Sequence, residues 1–149
     1  MSILIYKQRH RHPNYKKTPK GNYAHIGYIA TRPGAVKNEG VRHGLFGKLE
    51  PGAAVKEFDT WQEAARLVRE LSYRRVNMYR GIISFSPETA TELGLSDHKA
   101  WEDYIDRHIL TLAKFNGIRV QDLQWVAAHH NEKGHPHIHV AVSYTHLRA

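Results

Sequence analysis

Residues 122–142 read DLQWVAAHHNEKGHPHIHVAV, two alternating stretches joined by a polar turn, and no other part of the chain restricts the fold as much. Side chains alternate across a β-strand, so His137 and His139 project from one face while Ile138, Val140 and Val142 project from the other. In the preceding stretch Leu123, Trp125 and Ala127 share one face, and Val126, Ala128 and His130 share the opposite one. The bulkier Trp125 and Leu123 are expected to face the core. A turn through Glu132, Lys133 and Gly134 then closes a hairpin that brings His130 beside His137 and His139. A one-residue bulge would exchange His130 for His129. Three imidazoles on one strand face are a metal-ligand pattern. Histidines also cluster on solvated surfaces and in purification tags, but a tag does not alternate with Ile and Val.

The 149 residues fit one domain, and they include no cysteine. Disulfides and thiolate zinc sites are therefore excluded, and any metal must be held by imidazole, carboxylate or water. No uninterrupted apolar run reaches membrane length, and MSILIYKQRHRH places its basic residues after a short apolar segment, the reverse of a signal peptide. These features predict a soluble, cytoplasmic protein. Twenty-two Lys and Arg against 14 Asp and Glu give a formal charge of +8, which favours polyanionic partners. The excess is concentrated in residues 7–20, KQRHRHPNYKKTPK, which contain no acid. Arg9, Arg11, Lys16, Lys17 and Lys20 there suit a phosphate backbone, and Tyr15 offers a ring for stacking on an unpaired base. The same run also reads as a plain basic arm.

Strand SILIYK comes first, followed by the basic stretch as a loop in which Pro13 and Pro19 oppose regular structure. GNYAHIGYIATR has helical spacing and stops at Arg32-Pro33-Gly34, with Tyr28 in its last turns. Residues 34–58 read as an extended loop or irregular strand pair anchored by Leu45 and Phe46. Thr60-Trp61-Gln62-Glu63 is a capping box that opens a helix to about Ser72. A central strand spans residues 76–85, and Ser86-Pro87-Glu88 opens a short helix. The longest helix runs from Asp97 to Asn116, with Trp101, Tyr104, Ile105, His108, Ile109, Leu112 and Phe115 on one stripe. His108 there reads as a partly buried packing residue. The order predicts an α+β fold: an antiparallel sheet with helices packed mainly on one face, and the histidine hairpin at its C-terminal end.

The segment HNEKGHPHIHV resembles the three-histidine motif of the HUH superfamily of single-strand DNA endonucleases, in particular plasmid mobilisation relaxases of the MobA/MobL type. GYIATRPGAV with RHGLFG is similar to the nucleophile segment of that family, and RGIISFSPETATELG with KAWEDYI to its middle. The resemblance runs from about Tyr23 to Val140. It implies that His130, His137 and His139 bind a divalent metal (Mg²⁺ or Mn²⁺, with Zn²⁺ as a further option) and that Tyr28 is the nucleophile, with Tyr23 the alternative. It further implies nicking of one strand at an origin of transfer, with a 5′-phosphotyrosine and a free 3′ hydroxyl. The partners implied are single-stranded origin DNA, relaxosome accessory proteins and a coupling protein, without a membrane.

Glu132 is either a residue that orients a ligand histidine or a turn residue. His135 is a loop residue or a phosphate contact rather than a ligand. Arg32 suits a phosphate clamp, although a helix C-terminus attracts Arg for dipole reasons alone. The ending VSYTHLRA looks like a translated sequencing-adapter read, so the domain is expected to span 1–141, shortened at its C-terminus, with 142–149 outside it. Two rival readings keep the same histidines: a rolling-circle initiator or transposase, and a nucleic-acid-binding module with a structural metal. A metallohydrolase using activated water would need more carboxylate ligands.

Overall fold

A computed structural model of the chain describes residues 4–10, 18–38, 40–50, 54–74, 76–95, 97–115, 117–119, 122–132 and 135–144. In chain order the elements are β1 (Leu4–His10), α1 (Thr18–Thr31), β2 (Leu45–Lys48), β3 (Lys56–Glu57), α2 (Trp61–Tyr73), β4 (Asn77–Phe85), α3 (Pro87–Glu92), α4 (His98–Phe115), β5 (Leu123–Glu132) and β6 (His135–Tyr144). The six strands form one antiparallel sheet in the order β1-β4-β6-β5-β2-β3. The fold is α+β, with the histidine hairpin as its two central strands.

Both faces of the sheet are covered, two helices on each, which differs from the expected one-sided packing. The reason lies in the alternation of β5 and β6. Leu123, Trp125, Ala127, Ile138 and Val140 meet Trp101, Ile105, Ile109 and Ala113 of α4 and Ala90 of α3 in one core. Val126, Ala128 and Ala141, on the reverse, meet Ile26, Ile29 and Ala30 of α1 and Ala64, Ala65 and Val68 of α2 in a second. Because both sets are apolar, each needs a cover. The histidines sit at one end of the second core.

Element ends differ from the sequence expectation where proline is concerned. Helix α1 begins at Thr18 rather than Gly21, with Pro19 inside its first turn. A proline is tolerated there because amides of the first turn have no helical acceptor to lose. Strand β1 extends to His10, so the start of the basic run is strand rather than loop. The expected domain limit at residue 141 falls inside β6, whose Val142 and Ser143 pair with Trp125 and Gln124.

Two caps follow the sequence signals. Thr60 accepts from the Glu63 amide at 3.3 Å and Ser86 from the Thr89 amide at 3.2 Å. The Glu63 carboxylate is engaged by Lys56 Nζ at 3.1 Å, however, where a capping box would turn it back to its own helix.

The irregular stretch before β2 explains RHGLFG. His43 Nδ1 accepts from the Leu45 amide at 3.0 Å, and Leu45 and Phe46 are fully buried on opposite faces of the sheet. A Cβ on Gly44 would stand 2.2 Å from the Val36 carbonyl oxygen, and one on Gly47 equally close to that of Trp125. Both glycines permit backbone contact that no side chain could accommodate.

Candidate metal centre

The β5–β6 register is continuous and free of bulges: His130 stands opposite His137, and His139 is two residues further along, opposite Ala128. His130, His137 and His139 consequently share the face covered by α1 and α2. Their ring centroids are separated by 5.3 Å (130 to 137), 4.5 Å (130 to 139) and 5.2 Å (137 to 139). One nitrogen from each ring lies within 4.8 Å of the others, and among the described residues no carboxylate joins this group. His130 is fully buried, His139 nearly so, and half-buried His137 opens to solvent. His129 points to the reverse face, where it stacks on Trp101 with centroids 4.6 Å apart.

The donor set fits a divalent ion. Burial, then the neighbouring His130 and His137, hold the His139 imidazole down to about 3, so that ring is neutral and ligand-competent at pH 7. Its Nε2 is buried with no hydrogen-bond partner among the described residues. A buried ring nitrogen left without a partner beside two further imidazoles suits a cation.

Orientation of the deepest ring traces back to a proline. In a regular helix the Ile29 carbonyl would accept from the amide four residues on, but that residue is Pro33, which has none. The freed carbonyl instead lies 2.7 Å from His130 Nε2. A carbonyl only accepts, so Nε2 carries the proton and Nδ1 is the lone-pair nitrogen. The chain then runs along β5 beyond the end of β2: Ala35 bridges His130, the Val36 amide donates to the His129 carbonyl at 2.8 Å, and the Asn131 amide donates to the Gly34 carbonyl at 2.9 Å. The end of α1 is thereby fastened to the tip of the hairpin.

Tyr28 lies in that fastened turn, 54 % exposed, with the Arg32 guanidinium 4.9 Å from its ring centroid. The Arg32 charge also contributes to the depression of His139. Tyr23 belongs elsewhere: it packs edge-on against Trp61 at 5.6 Å and lies under Arg69 of α2. Lys20 is exposed in the first turn of α1, and twelve residues of helix separate it from Arg32 by about 18 Å. Arg9 pairs with Arg80 through the β1 backbone, its side chain lying outside the described residues, as do Arg11, Lys16 and Lys17. Glu132 ends β5 opposite His135; the side chains of both are also outside the described residues.

Nothing in the apolar spacing of α1 distinguishes His25. It precedes Tyr28 by three residues and Arg32 by seven, on one stripe of α1. Burial, then Arg80, hold it at about 4, and it contributes to the depression of His139. The stripe His25, Tyr28, Arg32 was the available signal.

Fold and site define an α+β protein with an all-histidine centre suited to a divalent cation, overlain by a tyrosine-bearing helix end. A family model for the relaxases, described as MobA/VirD2-like, nuclease domain, matches residues 28–149, most of the chain. The chain therefore belongs to the relaxase family, DNA-nicking proteins that act on single strands. No curated protein and no solved structure matches it. Among the described residues, no helix is long and apolar enough to cross a membrane.

Proposed function

We propose that this chain nicks one DNA strand at an origin of transfer by transesterification on Tyr28, and so serves the conjugative mobilisation of a plasmid or other mobile element. The observation that carries this reading is the 2.7 Å contact between His130 Nε2 and the carbonyl of Ile29, the residue next to Tyr28. It ties the tyrosine-bearing turn to the three imidazoles.

A phosphodiester already carries a negative charge, and a divalent ion held by His130, His137 and His139 would offset the charge that grows on its nonbridging oxygens. Mg²⁺ or Mn²⁺ would fill that role, with Zn²⁺ a further option that imidazole donors suit. Tyr28 Oη bonds to phosphorus as the P–O3′ bond breaks. The phenolic proton departs to solvent, the 3′ oxygen gains a proton, and the 5′ end stays on the tyrosine. One phosphoester replaces another, so the reverse step reseals the strand without ATP. Arg32, over the Tyr28 ring, steadies the scissile phosphate, and Glu132 at the end of β5 orients a ligand ring. Arg9, Arg11, Lys16, Lys17 and Lys20 engage the flanking backbone. Relaxosome proteins and a coupling protein are the partners such a reaction needs in the cytoplasm.

Supercoiled plasmid carrying the element's own origin tests the proposal. With Mn²⁺ the protein is expected to yield open circles bearing covalently attached protein, and EDTA or Tyr28→Phe should abolish both. Nicking that persists in EDTA would overturn the role given to the imidazoles.

A further inference from the structure

On the opposite face of the sheet, a second group of potential ligands joins the edge strand β3 to the start of α4. His98 Nε2 lies 3.3 Å from Glu57 Oε1 and 3.2 Å from Glu102 Oε1. One donor atom from each residue lies within 4.8 Å of the others. Glu102 is only 5 % exposed, and its Oε1 is buried without a hydrogen-bond partner among the described residues. The approach of His98 Nε2 is therefore a close contact of donor atoms, not an N–H···O bond. Two ligands each about 2.1 Å from a tetrahedral ion stand about 3.4 Å apart, close to both nitrogen–oxygen separations.

We propose that Glu57, His98 and Glu102 form a second divalent-cation site, of a kind suited to Zn²⁺ or Mn²⁺, which clamps the β3 edge to α4. Charge bookkeeping supports it. Burial lowers His98, so a neutral ring cannot balance the two carboxylates. Burial, then the hydrogen bond and charge of Glu57, push Glu102 up to about 8 when no cation is bound. Lys99, whose charge acts to lower Glu102, is itself paired with Asp103 at 3.1 Å. A cation would satisfy the buried carboxylate that otherwise must hold a proton. Glu57 is partly exposed and leaves the ion a route from solvent. The site is independent of the histidine trio, from which the sheet separates it.

Native mass spectrometry of the whole chain titrated with Zn²⁺ or Mn²⁺ tests the inference. Two ions per chain are expected, falling to one in Glu57→Gln and in Glu102→Gln, and to one also in His139→Ala, which removes the other centre. Glu57 is exposed, so Glu57→Gln should fold and keep its nicking activity. In His139→Ala, added Zn²⁺ should raise the melting temperature, and the further change Glu57→Gln should weaken binding at least tenfold. A single ion in the unaltered chain that His139→Ala abolishes, or two ions retained in both glutamine variants, would overturn it.

Discussion

His25 illustrates how one helix position can be invisible to a hydrophobic pattern and still shape the site. Tyr23, Ile26, Ile29 and Ala30 set the apolar spacing of α1, and a polar residue lying between them carries no weight in that reading. The fold then half-buries His25 near Arg80 and holds it at about 4, below the ordinary imidazole value of 6.5. Between those two values the unfolded chain binds the proton that the native ring refuses. Its contribution to stability is thus full above about pH 6.5, declines as pH falls towards 4, and levels off below. Urea denaturation at pH 7 and pH 5 should show a smaller loss in His25→Gln than in the unaltered chain; equal losses would mean the ring titrates normally in the fold. The three histidines proposed as ligands are legible for the opposite reason. Strand alternation converts the spacing of His130, His137 and His139 directly into a shared face, and a register without bulges preserves it.

At the scale of elements, the end of α1 matters most. Pro33 was legible as a helix stop, but its further effect, freeing the Ile29 carbonyl for His130, depends on a contact across 101 residues of sequence. Local pattern cannot anticipate such a pairing. Pro33→Ala restores an amide that competes for this carbonyl and loosens the His130 ring. Losing such an orienting partner weakens metal affinity about 10-fold or more. Isothermal titration with Mn²⁺ should show that loss while the melting temperature changes little. Pro87→Ala, in the first turn of α3, should leave affinity unchanged, and if Pro33→Ala does the same the carbonyl does not orient the ring. The strand pair of residues 34–58 is only loosely legible in the sequence because its hydrogen bonds come from distant partners: β2 from β5, and the stretch after α1 from His129 to Asn131. Element order predicts helices mainly on one face, and the small Val126 and Ala128 give little sign of a second core. Small residues nevertheless form a core when a second helix pair covers them.

At the scale of the molecule, a sheet covered on both faces leaves its hairpin end as the place where the centre meets solvent, through His137. The formal charge of +8 suits the single-stranded DNA on which the family acts. A chain engaging about five phosphates should show a log–log salt slope of about −3.5 on single strands. Fluorescence anisotropy across a salt series measures it, and a slope near zero would contradict a backbone-tracking mode. Composition made this charge legible, but it left open where the basic residues stand around the site. The central claim is that the phenol on the fastened turn of α1 becomes the covalent carrier of the cut strand. Mass spectrometry of the adduct formed on origin DNA tests it most directly, because tryptic peptide 21–37 contains both Tyr23 and Tyr28 and fragmentation tells them apart. The nucleotide is expected on Tyr28, and a nucleotide found on Tyr23, or cleavage that leaves no adduct on either ring, would contradict it.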